Sequence, residues 1–74
     1  MFSASIEFWN VDDDESEKPW SNVLESVSED GLQEDVDVYR AEITGCGGRV
    51  SSIVWHFPPQ PGMLPADCRI VELF

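Results

Sequence analysis

The first residues of the chain alternate between apolar and polar side chains. Every second position from residue 2 is apolar, in the order Phe2, Ala4, Ile6 and Phe8. A period of two is typical of a β-strand with one face on a core and the other in water. The pattern therefore predicts a first strand over about residues 2–10, with Trp9 on its polar face.

A helical spacing of apolar side chains follows Pro19. Counted from Trp20, the apolar residues three, four and seven positions later are Val23, Leu24 and Val27. This spacing places them on one face of a helix, and proline suits a first helical position. Because Gly31 stands where a left-handed helix cap is expected, the sequence predicts a helix over about residues 19–30.

Two segments of strand-like composition flank a glycine-rich turn. Residues 36–44 contain β-branched and aromatic side chains, but their apolar phase changes between Val38 and Tyr39. We predict a strand here that either contains a bulge or is apolar on both faces. The glycines in residues 45–48 then predict a hairpin turn into a second strand at residues 49–57.

The predicted elements assemble into one small domain over residues 1–74. Four prolines within residues 58–67 predict a stiff, partly extended loop, and a last short strand is expected at residues 69–74. The predicted order is β-α-β-β-β. One helix laid across one small sheet buries the apolar faces of both. We therefore predict an α+β fold, with a single-layer antiparallel sheet of about four strands and one helix packed on it.

Negative charge is concentrated in one third of the chain. The 74 residues contain 15 acidic and four basic side chains, a net charge of −11. Eleven of these acids and one base lie between residues 12 and 37, and their density in residues 10–18 predicts a solvated acidic loop. A surface of this sign repels nucleic acid and anionic membrane. We expect no direct binding to either, and a basic partner instead.

The acidic side chains of this segment, with one aromatic neighbour, are the candidate partner-binding residues. We expect Glu25 and Glu29 to share a helix face, and the last two acids to share a strand face. Trp9 is either an interface anchor beside the charge or core that covers the helix end. The set is Trp9, Asp12, Asp13, Asp14, Glu15, Glu17, Glu25, Glu29, Asp30, Glu34, Asp35 and Asp37.

Two explanations of the excess of acidic residues that involve no binding partner stay open. A solvated acidic face keeps a small protein dissolved and monomeric. Halophilic proteins also carry excess acid and little lysine, but they need it over the whole surface. Residues 38–74 contain three acids and three arginines, so this half of the chain is neutral. The uneven distribution favours a partner over salt adaptation.

Catalysis is not expected from the arrangement of the reactive side chains. His56 is the single histidine and lies between two aromatic residues in a predicted strand, which favours a sheet-surface or partner-contact position. The carboxylates lie in solvated segments without the apolar pocket that raises one pKa of an acid/base pair. We expect a protein that is not an enzyme and uses no cofactor.

Metal binding and disulfide formation are not expected either. A calcium-loop pattern that begins at Asp12 fails at Glu17, where that loop needs glycine. Cys46 and Cys68 have no zinc-ligand spacing. Without a secretion signal they are interpreted as two reduced thiols.

The charge favours a non-enzymatic inhibitor that mimics nucleic acid and occupies the basic site of a nucleic-acid-binding protein or nuclease complex. In size, charge and composition the chain resembles phage-encoded anti-restriction and anti-CRISPR proteins, phage inhibitors of host polymerase, and acidic immunity proteins against nuclease toxins. This resemblance is one of general character and implies no residue roles.

The expected location is the cytoplasm, of the host cell if the protein is phage-encoded, because no apolar run approaches the ~18–20 residues of a membrane span. We expect a monomer or a homodimer.

The alternative function uses the neutral half of the chain. A small interaction module or subunit would dock on a larger assembly through its β-hairpin or proline-rich loop. The acidic face would then serve solubility alone. The two hypotheses differ in whether removal of the acidic charge weakens partner binding.

Overall fold

Four strands and one helix make up the protein in a computed structural model, which describes residues 1–58, 62 and 69–74. The elements are β1 (Phe2–Trp9), β2 (Trp20–Ser26), α1 (Glu29–Gly45), β3 (Arg49–His56) and β4 (Arg69–Leu73). The strands form one antiparallel sheet in the spatial order β2-β1-β3-β4. The helix packs on one face of this sheet, mainly over β2, β1 and β3. The predicted α+β fold is confirmed.

The core lies between α1 and the two central strands. Ala4 and Ile6 of β1 are fully buried, in agreement with the alternation that predicted this strand. In the neighbouring strand β3, Ile53 lies opposite Ile6 and Trp55 lies opposite Ala4. The helix contributes Leu32, Val36 and Ile43, which are also buried. Among the described residues, seven buried side chains form this core.

The helix predicted at residues 19–30 is wrong, because residues 20–26 form β2. Seven residues of β2 pair in register with β1, from Phe2 opposite Ser26 to Phe8 opposite Trp20. Pairing with β1 satisfies the backbone hydrogen-bonding groups of this segment. Serine and asparagine side chains compete for those groups in a helix, so they make a short helix here less favourable. Of its apolar side chains, Leu24 packs against the core while Val23 stays exposed, as expected for neighbours in a strand.

The strand predicted at residues 36–44 is also wrong, because these residues belong to α1. The buried helix positions Leu32, Val36 and Ile43 follow a helical period, which is the reason for the apparent phase change in the sequence. Ser28 caps the helix, and its hydroxyl accepts a 3.1 Å hydrogen bond from the backbone N–H of Gly31. Gly31 therefore lies in the first turn of α1 and does not form a left-handed C-cap, since its φ is not positive.

The glycine-rich segment connects the helix to β3, so the predicted hairpin turn between two strands is wrong. Gly47 has a φ of +84°, and its backbone N–H bonds to the carbonyl of Thr44 at the end of α1. The backbone N–H of Gly48 bonds to the carbonyl of Ile43. These bonds satisfy carbonyls at the helix terminus. The order of elements is consequently β-β-α-β-β.

The second half of the sheet agrees with the sequence prediction more closely. The predicted strand at residues 49–57 corresponds to β3, and the one at residues 69–74 corresponds to β4. A bulge opposite Glu7 and Phe8 shifts the register of β3, so that Val50 packs against the core. The proline-rich loop predicted at about residues 58–67, and Cys68 beyond it, lie largely outside the described residues.

Candidate functional site

The acidic loop of residues 10–18 is folded onto the sheet. One carboxylate oxygen of Asp13, Oδ2, accepts hydrogen bonds from the indole Nε1 of Trp20 at 2.9 Å and from the backbone N–H of Asn10 at 2.8 Å. The backbone N–H of Asp13 in turn bonds to the carbonyl of Asn10 at 3.0 Å. Asp13 is therefore a structural residue of the loop, and its charge is partly engaged inside the protein.

Arg49 at the start of β3 ties the same loop to the sheet. Its terminal guanidinium nitrogen donates a 2.9 Å hydrogen bond to the carbonyl of Asp13. Its Nε lies 2.8 Å from Oε1 of Glu15, close enough for an ion pair although not aligned as a hydrogen bond. Asp13 and Glu15 of the loop thus both contact Arg49 in β3.

Trp9 supports the loop and does not cover the end of the helix. Its indole Nε1 donates a 2.9 Å hydrogen bond to the backbone carbonyl of Glu17. Trp9 follows Phe8 in β1, so it faces away from the helix, and it pairs with Arg49 in β3. The side chain is half-buried. This position leaves part of the ring accessible beside the acidic loop.

Asp14 shows how the loop accommodates its own charge. The backbone N–H of Ser16 donates a 3.0 Å hydrogen bond to Oδ1 of Asp14. This bond, with a smaller contribution from the Ser16 hydroxyl and the charge of Arg49, holds the pKa of Asp14 below its ordinary value of 3.8. The local backbone therefore favours the ionised form of this exposed carboxylate.

Five further candidate acids lie on the N-terminal half of α1 and are exposed. Glu29 and Asp30 occupy its first turn, where negative side chains interact favourably with the helix dipole. Three of these acids are spaced by four and three residues and therefore lie on the side of the helix that faces away from the sheet. We term them the outer row: Asp30, Glu34 and Asp37. Asp37 also accepts a 3.3 Å hydrogen bond from Gln33. Asp35 lies on the neighbouring flank of the helix.

The predicted pairings among these acids are wrong, because the elements that carry them differ. Glu25 lies in β2 and Glu29 in α1, so the two do not share a helix face. Asp35 and Asp37 lie in a helix, where residues two apart point in different directions. Ten of the candidate acids lie in two groups, five in the acidic loop beside the C-terminus of α1 and five on the N-terminal half of α1, while Glu25 lies opposite Ser3 in the sheet. About 12 Å of helix separates Asp37 from the last helical residue, at 1.5 Å per residue.

The sheet face away from the helix, here called the open face, is exposed and contains several apolar side chains. Val23, Val71 and Leu73 are 55%, 50% and 81% exposed. Their partners in the ladder, Ser5, Val54 and Ser52, lie on the same face. His56 is exposed in β3 opposite Ser3, on this surface, as predicted for a sheet-surface residue. The open face is thus a mixed serine and valine surface beside the acidic groups.

The structure also brings together residues that the sequence did not single out. A cleft of about 420 Å³, which we term the aromatic cleft, separates the acidic loop from the C-terminal half of α1. Trp20, Tyr39 and Glu42 line it, although the sequence placed the first in a helix and the others in a strand. A correct helix assignment at residues 29–45 would have put Tyr39 and Ile43 on one face, four residues apart, and pointed to this side of α1.

Neither a membrane-spanning helix nor a metal site is found in the described part of the chain. Within residues 1–58, 62 and 69–74, no helix has the length and apolar character to cross a bilayer. The same residues contain no cluster of three or more His, Cys, Asp or Glu side chains placed to hold a metal ion. Cys46 is exposed in the turn after α1.

Comparison with known proteins returns no relative from which a role can be transferred. No protein-family model matches the chain, and no curated protein or solved structure matches it either.

Proposed function

We propose that the protein is a non-catalytic inhibitor that binds a basic surface of a partner protein, in the manner of a nucleic-acid mimic. The observation that carries this proposal is the exposure of acidic side chains on a loop that is hydrogen-bonded to Trp9, Trp20 and Arg49 of the sheet. A loop ordered before binding loses less conformational entropy when the partner docks. This arrangement supports binding through charge.

The loop bonds separate the acids into two classes. Asp13, Asp14 and Glu15 make hydrogen bonds or ion pairs within the chain. Among the described residues, the side chains of Asp12, Glu17, Asp30 and Glu34 make no such contact and stay available to a partner. Electrostatic complementarity of this kind raises the rate of association and makes it sensitive to salt.

The target site is a basic nucleic-acid-binding site, as in the proteins that phage anti-restriction and anti-CRISPR inhibitors block. Ten net charges on residues 12–37 equal the charge on about 17 Å of duplex, at one charge per ~1.7 Å. Most of the acids lie either in the acidic loop or on the N-terminal half of α1, and this separation suits a groove that holds an extended polyanion. A site of this kind has the basic surface that the acidic protein lacks.

The experiment is affinity capture from a cell lysate, followed by competition. The immobilised protein is washed at about 0.1 M and about 1 M salt, between which the screening length falls from ~10 to ~3 Å. We expect a basic nucleic-acid-processing protein that leaves at high salt, and whose nucleic-acid binding the purified protein inhibits. A captured protein that binds nucleic acid equally well in the presence of the inhibitor would contradict the proposal.

Matched variants make the test specific for charge. The variant with Asp12→Asn, Glu17→Gln, Asp30→Asn and Glu34→Gln removes four negative charges whose side chains contact no partner in the part of the chain that the structure describes. We expect it to lose binding at low salt while it stays folded. A control with Ser3→Ala and Ser21→Ala changes the open face without altering charge. Equal binding by the charge variant and the parent would exclude the mimic.

A second candidate function is favoured by the open face. The exposed side chains of Val23, Val71 and Leu73 are typical of a surface on which an interaction module docks. In that case Val71→Ser with Leu73→Ser abolishes capture of the partner, whereas the four-charge variant retains it. The same capture experiment with both variants therefore discriminates the two functions.

A further inference from the structure

The aromatic cleft is walled by three rings. Phe8 and Tyr39 meet edge to face, with ring centroids 5.9 Å apart and planes inclined by 76°. Trp20, the ladder partner of Phe8, forms the adjoining wall and is 59% exposed, so its ring is accessible from outside. Gly48 lines the far side. The volume of about 420 Å³ is within the usual range for a side chain or small ligand.

The walls are held in place before anything binds. The indole Nε1 of Trp20 is anchored to Oδ2 of Asp13 at 2.9 Å, which limits rotation of the ring. Gly48 is closely packed, because a Cβ there would approach the carbonyl oxygen of Trp9 to 2.8 Å. Val11 of the acidic loop lies against Gly47 and also lines the cleft. A preorganised cleft retains more of its contact energy as affinity.

The field in the cleft is negative. Glu42 lines it, and the bond from Trp20 keeps the Asp13 carboxylate at the edge of the indole wall. The last turn of α1 adds the negative end of the helix dipole and contains no basic residue. The two nearby arginines point elsewhere, since Arg40 lies 4.3 Å over the ring of Phe74 and Arg49 binds the loop. A cation is the ligand that both the rings and this field attract.

We propose that the aromatic cleft receives the guanidinium group of an arginine side chain from the basic partner. The guanidinium is planar, stacks on aromatic faces, and donates several hydrogen bonds to carboxylates, so it matches Trp20, Tyr39 and Glu42 together. Lysine offers a point charge without a stacking plane. This inference rests on the proposed function and names the residue of the partner that anchors the complex.

The test uses a minimal probe and nuclear magnetic resonance of the ¹⁵N-labelled protein. The probe is a pentapeptide of glycines with one central arginine, and its neutral control carries citrulline in place of arginine. We expect the arginine peptide to shift the indole N–H of Trp20 and the backbone amides of Glu42 and Gly48. Citrulline keeps the shape without the charge, so its peptide should bind at least about threefold more weakly.

Two pairs of variants separate the cleft from general charge attraction. Trp20→Ala should weaken the arginine peptide about three- to tenfold, whereas Trp20→Phe keeps a ring and restores much of the binding. Glu42→Gln should weaken it more than Glu34→Gln, which removes the same charge from the outer row. Equal binding of the citrulline peptide, or equal loss in the two glutamine variants, would overturn the assignment.

Failure of this inference is distinguishable from failure of the proposed function. If the cleft ignores the arginine peptide but a basic partner is still captured and released by salt, the cleft assignment is wrong and the inhibitor proposal stands. If the peptide binds in the cleft but no basic partner is recovered, the cleft stands and the inhibitor proposal is wrong. Amide spectra of each variant establish that it is folded.

Discussion

The indole nitrogen of Trp20 donates a 2.9 Å hydrogen bond to Oδ2 of Asp13 and so joins the first residue of β2 to the acidic loop. The same oxygen accepts the backbone N–H of Asn10. One carboxylate of a run of four is therefore part of the loop structure, while Asp12 beside it is exposed. Charge and structure in this loop can be changed separately, which makes the following predictions possible.

Asp13→Ala should destabilise the protein relative to Asp12→Ala. Both variants remove one negative charge from the loop, so relief of repulsion is similar in each. Only the first removes the acceptor of two hydrogen bonds, which costs about 1 kcal/mol of unfolding free energy at a partly exposed site. Urea unfolding followed by tryptophan fluorescence measures the difference. Equal stability of the two variants would contradict the bonded role of Asp13.

Asp14 should titrate below its ordinary pKa of 3.8 despite the surrounding negative charge. Because the pKa is lowered in the folded protein, ionised Asp14 stabilises the loop at neutral pH, and this contribution is lost as the pH falls through the lowered value. The titration is followed by carbon-detected nuclear magnetic resonance of the carboxylate. Ser16→Ala removes the hydroxyl but keeps the backbone N–H, so it should raise the pKa part of the way toward 3.8. An unchanged pKa in that variant would assign the whole effect to the backbone and Arg49.

Gly48→Ala should destabilise the turn between α1 and β3. A Cβ at this position would lie 2.8 Å from the carbonyl oxygen of Trp9 and 2.9 Å from that of Ile43, and backbone atoms cannot move aside cheaply. Overpacking of this kind costs about 1–3 kcal/mol. Gly45→Ala is the matched control, because a Cβ placed at Gly45 would have no other atom within 4 Å. There alanine favours the helix, and we expect a gain of up to about 1 kcal/mol in denaturant unfolding.

Ser28→Ala should weaken the start of α1. The hydroxyl of Ser28 accepts the backbone N–H of Gly31, and its loss costs about 1 kcal/mol at a helix N-cap. Ser28→Asp keeps an acceptor and should be close to the parent in thermal unfolding. If Ser28→Asp is as unstable as Ser28→Ala, the hydrogen bond is not the source of the effect.

The strands that alternate cleanly were predictable from the sequence. In β1 the buried Ala4 and Ile6 alternate with polar residues, and in β3 the buried Ile53 and Trp55 lie two residues apart on one face. Alternation follows from the geometry of a single strand, so it is readable without knowledge of the pairing partners. These segments supplied two strands of the predicted fold, whereas its helix was predicted at residues 19–30, where β2 lies instead.

The exchange of helix and strand in residues 19–45 was decided by long-range contacts. The apolar positions of residues 20–27 fit a helix by spacing alone, yet pairing of Ala4 with Leu24 and its neighbours stabilises a strand. Once that segment is a strand, the N-cap at Ser28 begins the helix that buries Leu32 and Val36. A short apolar run is compatible with either element, and the ladder with β1 selects between them.

The sequence by itself determined the amount of acid, its concentration in residues 12–37, and the alternating strands, because charge and period-two burial are local properties of the chain. Only the tertiary structure decided which acids are free. It bonded Asp13 to Trp20 and Glu15 to Arg49, residues up to 34 positions apart, and it placed Tyr39 and Glu42 beside the same loop. Contacts between residues far apart in sequence depend on how the elements pack, and no local pattern specifies that packing.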